Sequence, residues 1–136
     1  MKIGSFAVIY ARFALGAAFL SAVASRFGLW AGEPGFAAFE KFAHGYAAQV
    51  LSFMPPATLP FLVWSATAAE TTLGVLLILG IQTRWVAMAS AVLLAMFGTA
   101  MAISFGPKSP LEYSVYSASA GALLLALHAS PGARRR

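Results

Sequence analysis

The chain has 136 residues, of which 60% are hydrophobic and 10% charged, with a formal net charge of +5 and a mean hydropathy of +0.80. A water-soluble domain uses about a quarter of its residues as charges to cover its surface, and so short a chain cannot hide this much apolar side chain from water. Lipid is therefore the expected solvent, and one domain the expected size. The absence of cysteine excludes disulfides, thiolate metal sites and dithiol chemistry. Two histidines far apart, His44 and His128, fall short of the three or four ligands that a metal site usually requires.

Four apolar runs predict an all-α integral membrane four-helix bundle, with spans over about 3–25, 59–81, 84–105 and 112–129. Each is close to the ~20 residues needed to cross a ~30 Å hydrocarbon core, where a backbone without water partners must be helical. The first run also has the outline of a signal peptide, with Lys2 as its basic start and Ala22-Val23-Ala24 as a small-residue cleavage site. Arg12 in its apolar middle favours a retained helix. Between the first two spans, Phe36, Phe39, Ala43, Tyr46, Val50 and Phe53 recur at spacings of three and four. That pattern predicts an amphipathic helix in the outer loop, begun near Pro34 and ended by Met54-Pro55-Pro56. It reads as a seal over the bundle or as a gate for a lipid-soluble ligand, with Trp30 and Trp64 at headgroup depth.

The link Gly80-Ile81-Gln82-Thr83 makes spans two and three an antiparallel hairpin, and Gly106-Pro107-Lys108-Ser109-Pro110 breaks the chain after span three. Every-fourth small residues mark one face each of span one (Ala14, Ala18, Ala22), span three (Ala87, Ala91, Ala95, Thr99) and span four (Ser114, Ala118, Ala122, Ala126). Such stripes suit close helix packing in lipid, within the fold or between copies of a homo-oligomer. Lys2, Arg84 and Arg134–Arg136 fall on one side of the membrane, and Arg26, Lys41 and Lys108 on the other. The larger basic side is expected to be cytoplasmic, with both termini there. The terminal arginines read as a grip on anionic lipid and not on nucleic acid.

Two charges lie deep in apolar runs. Counting along each run puts Arg12 about 13 Å and Glu70 about 16 Å from the same surface, so the two are expected at one level, Arg12 on the helix face of Gly16 and Glu70 on that of Ala66 and Gly74. A charge at mid-bilayer costs at least about 2.5–3.5 kcal/mol, and pairing reduces that. The pair reads as a structural salt bridge, as a polar anchor for a quinone head-group or a substrate anion, or as the site of a proton-handling carboxylate. Tyr116 is a further ligand-binding candidate on span four, beside Tyr113, Ser117 and His128.

The string Arg12-Phe13-Ala14-Leu15-Gly16, the Phe-rich segment from Phe36 to Pro56, and the stretch Glu70-x-x-x-Gly74, Leu76-Leu77-Ile78-Leu79-Gly80, Thr83-Arg84-Trp85 resemble the DoxX family. The family often carries a Gly and a Lys at the end of helix one, where this chain has Ala24-Ser25-Arg26-Phe27. The resemblance implies four membrane helices and, as in thiosulfate:quinone oxidoreductase, membership of a bacterial inner-membrane redox assembly. On that basis the expected role is an accessory or quinone-interacting subunit, with quinone as the non-covalent cofactor and a redox protein as partner. The alternatives are a non-catalytic assembly factor and a small transporter. No set of residues here carries redox chemistry unaided.

Overall fold

The structure is a computed structural model, and it describes residues 3–129. Lys2 and the arginines at 134–136, used above for orientation, lie outside the described residues. Among the described residues every regular element is helical: α1 (Ile3–Arg26), α2 (Phe36–Phe42), a π-helical turn (Ala43–Ala47), α3 (Ala48–Val50), a 3₁₀ turn (Pro56–Thr58), α4 (Leu59–Leu79), α5 (Thr83–Phe105), α6 (Lys108–Glu112) and α7 (Val115–His128). Three of the helices, α1, α4 with the turn before it, and α5, are long and apolar enough to cross a membrane. The fourth run is helical over 14 residues in α7, separated from α6 by Tyr113 and by Ser114, whose φ is 56°.

The helices pack as two close antiparallel pairs, α1 with α4 and α5 with α7, while α4 and α5 touch only sparingly. The register of the first pair is set by two glycines. A Cβ on Gly16 would lie 2.9 Å from the Gly74 carbonyl oxygen, and one on Gly74 3.2 Å from that of Gly16. In lipid, where apolar contact offers no net drive, this close backbone approach supplies the van der Waals contact that joins helices. In the second pair Ala87, Ala91, Ala122 and Ala126 are buried, and the Ser119 hydroxyl crosses to donate to the Ala91 carbonyl at 2.7 Å. The small residues predicted to mark the packing faces of spans three and four thus do so at these positions. On α1 they do not: Ala14 and Ala18 are exposed, and the buried positions are Gly16 and Phe19.

The hairpin between α4 and α5 is set by Gly80, which closes α4 in a left-handed conformation (φ 74°). Its N–H reaches the Leu76 carbonyl at 2.9 Å, and that of Ile81 reaches the same oxygen at 3.1 Å, a double closure that a residue with a Cβ enters only under strain. The segment between α1 and α4 is helical from Phe36 through Val50. Phe39 and Ala47 are buried in it, while Phe36 and Phe53, at the two ends of the predicted stripe, are 72% and 47% exposed. We call this segment the cap, and the side it covers the cap side.

Candidate functional site

The polar centre forms between the last residue of α1 and one face of α4. Val63, Thr67, Glu70, Gly74 and Leu77 recur at three and four and are all buried, so the face that carries Glu70 points into the protein. Arg26 reaches this face from the cap side. Its Nη1 pairs with Glu70 Oε2 and donates to Thr67 Oγ1 at 3.0 Å, and Thr67 in turn donates to the Val63 carbonyl at 2.8 Å. The side chains of Arg26 and Glu70 are 13% and 4% exposed. The Phe42 ring of the cap lies over the guanidinium, 4.9 Å from Arg26 Cζ to the ring centroid, a cation–π contact that gains strength away from water.

Arg12 is not the partner of Glu70. It lies farther toward the terminal end of the pair, where its Nε donates to the Leu77 carbonyl and its Nη2 to the Ile78 carbonyl, each at 3.0 Å. The last carbonyls of a helix have no intrahelical partner and carry the negative end of its dipole. Arg12 therefore acts as the C-terminal cap of α4, with its guanidinium packed against Gly80. The expectation of equal depth fails because it counts both helices from a common plane. The Gly16–Gly74 crossing instead puts Arg12 level with the end of α4 and lets the long side chain of Arg26 descend to Glu70.

Tyr116 belongs to a third location. Its hydroxyl lies 3.3 Å from Thr99 Oγ1, and its ring rests against Gly98, where an added Cβ would sit 3.0 Å from it. The three candidate residues are thus not brought together. Arg26, which completes the polar centre, is by sequence only a charge at the loop side of span one. Its signal was the family comparison at the end of helix one, where a basic residue is the expected type.

Beside Arg26 lies a cavity of about 210 Å³. Its walls are Phe42, Tyr46, Ala47, Val50 and Leu51 from the cap, Leu62, Val63 and Ala66 from α4, Leu94, Phe97, Ala100 and Met101 from α5, and Val115 from α7. Arg26 is the charged residue of this lining. The cap is fixed over it at both ends. At one end Phe39 stacks on Phe27 at 4.8 Å between centroids and lies 4.3 Å from Trp64. At the other, Ser104 of α5 donates to the Val50 carbonyl and Tyr46 stacks on Phe105 at 6.1 Å. Burial, with a smaller contribution from Tyr113, pushes the Tyr46 phenol above its ordinary pKa, so it stays neutral at physiological pH. His44 is not in this lining; it faces Glu40 at 3.2 Å on the exposed side of the cap. Among the described residues no group of three His, Cys, Asp or Glu side chains stands close enough to hold a metal ion.

The DoxX family model matches residues 7–104, most of the chain and the whole of the polar centre. The chain belongs to the DoxX family. No curated protein and no solved structure matches it at a significant level. The DoxX match runs from α1 to the end of α5 and so includes Arg12, Arg26, Glu70 and the cap, whereas Tyr116 lies beyond it. As a DoxX protein with spanning helices, the chain is a multi-pass membrane protein with the lipid bilayer as its environment.

Proposed function

We propose that this DoxX protein binds the ring of a quinone in the cavity beneath the cap, as an accessory subunit of a bacterial inner-membrane redox system. The observation that carries this reading is an apolar cavity with one cation at its edge, roofed by aromatic rings. A dry apolar cavity of about 150 Å³ accepts a benzene ring, so about 210 Å³ accommodates a ring with substituents. A quinone carbonyl is a hydrogen-bond acceptor. The guanidinium has five N–H donors, and Glu70 and Thr67 both engage Nη1, so Nε and Nη2 supply the donors for it. Glu70 balances the charge of Arg26, which suits a neutral ligand better than a transported ion. The chain has no cysteine to exchange electrons; a partner redox protein would supply or accept them, and the quinone would carry them.

In this reading the chain crosses the bacterial plasma membrane four times, with both termini cytoplasmic and the cap on the outer side. The basic residues of the terminal side support that orientation. The α7 helix, about 21 Å long, spans the thickness together with the α6 segment before it.

The test is extraction of the protein purified in mild detergent, followed by chromatography of its lipids. Quinone should co-purify with the wild type, and Ala66→Leu, which fills the cavity wall, should lose it while keeping its unfolding temperature within a few degrees. Absence of quinone from the wild type in the presence of a stoichiometric protein partner would support the assembly-factor reading instead.

A further inference from the structure

The sparse contact between α4 and α5 leaves a second recess on the lipid-facing side of that seam, about 590 Å³ in volume. Its α4 wall carries Ala68, Ala69 and Thr72 beside Leu73, and its α5 wall Ala89 beside the larger Val92, Leu93 and Met96. Toward its two ends α4 carries the larger exposed side chains of Phe61, Trp64, Val75 and Leu79.

This recess and the cavity beside Arg26 lie along one line. Leu62, Ala66, Ala69 and Leu73 follow each other at four, three and four, forming one stripe of α4. The first two line the cavity and the last two the recess. Ala89, Leu93, Phe97 and Ala100 form the corresponding stripe of α5, running the other way; its first two residues line the recess and its last two the cavity. On each helix the residues that line the recess thus follow those that line the cavity within about one turn. Eleven residues of helix separate Leu62 from Leu73, about 16 Å, or roughly half the hydrocarbon core.

We infer that the ligand of the cavity is a long-chain amphiphile whose ring lies beside Arg26 and whose tail runs down the α4–α5 seam into this recess. The inference rests on the ring-binding reading above and adds the tail. A tail in bulk lipid is already in apolar surroundings, so the recess gains nothing by the hydrophobic effect. What it offers is a fixed apolar surface on two helices, approached most closely at Ala68, Ala69 and Ala89, where van der Waals contacts add up along a tail. The seam thereby selects for a tail where the cavity alone would select for a ring.

The experiment compares two probes in phosphatidylcholine nanodiscs: a ubiquinone ring with one isoprene unit, and the same ring with eight. Affinities are expressed per mole fraction in the bilayer, so that partitioning into lipid cancels. The long-tailed probe should bind about tenfold more tightly. Ala69→Leu should reduce its affinity to that of the short probe while leaving the short probe unchanged. Ala89→Leu, on the opposite wall, should do the same and serves if Ala69→Leu does not fold. Equal binding of both probes to the wild type would overturn the tail site and leave the ring site standing. Failure of both probes to bind would overturn the ring reading and this inference with it. A dimer that Ala69→Leu dissociates would assign the recess to a second copy of the chain, which also overturns the inference.

Discussion

The two arginines of α1 present a contrast within one helix. Both insert into an apolar environment and both are held by α4, but Arg12 is satisfied by backbone carbonyls and Arg26 by a carboxylate and a hydroxyl. At the terminal end of the pair α4 stops, and its last carbonyls carry a partial negative charge that needs no acidic side chain. At the cap end the α4 backbone around residue 67 is fully hydrogen-bonded within its helix, so a cation there requires an acidic partner. Glu70 is that partner. The carbonyl-bound arginine ends a helix, whereas the carboxylate-bound one adjoins a cavity. The same residue type thus serves structure in one place and a candidate site in the other, and the difference lies in what α4 offers at each level.

Removing one partner of the buried pair should cost the protein most. Glu70→Gln or Arg26→Leu should each destabilise the protein by about 3–5 kcal/mol, and the double substitution Arg26→Leu/Glu70→Leu should recover most of that loss. Thermal unfolding in detergent measures it, and quinone content should fall in the double variant despite its recovered stability. Arg12→Leu combined with Glu70→Leu should instead be additive to within about 0.5 kcal/mol. Rescue in that combination would mean that Glu70 pairs with Arg12 after all.

A smaller effect tests the register that separates the two arginines. Gly16→Val places a Cβ 2.9 Å from the Gly74 carbonyl oxygen and 2.7 Å from an Ile78 side-chain carbon. The side chain can turn away, but the backbone oxygen cannot without parting the helices. A loss of about 1–3 kcal/mol is expected, together with a shift of Arg26 away from Glu70. Distances between spin labels on α1 and α4 would report it, and an unchanged distance with full stability would show that the crossing does not depend on these glycines.

The smallest effect belongs to Arg12. Removing a cation from a partly buried helix C-terminus costs up to about 2 kcal/mol, so Arg12→Leu should lower stability by about 1–2 kcal/mol while quinone content stays at the wild-type level. Arg12→Lys should keep part of the stabilisation, since an ammonium carries the charge but lacks the planar fork that meets two carbonyls at once. Loss of quinone in Arg12→Leu at unchanged stability would move the site to the terminal end and reverse the contrast.

Much of this molecule is determined by local sequence. Apolar runs of about twenty residues have only the helix as a way to satisfy their backbone in lipid, so α1, α4 and α5 follow from composition. The stop at Gly80 follows from a residue free to adopt positive φ. The family is legible in the strings around Arg12 and Glu70, and the inward face of α4 in the spacing of Glu70 and Gly74. What no single run contains is the offset between runs. Counting residues from an assumed common surface put Arg12 opposite Glu70. The actual offset is set where Gly16 meets Gly74, a contact between residues 58 positions apart. That contact decides which arginine reaches the carboxylate and which one caps the helix. The cavity, likewise, is a property of two helices that pack loosely and a cap that bridges them. Composition and spacing place these residues in the apolar interior, but which of them meet depends on the axial position of one helix against another, and no single run encodes that.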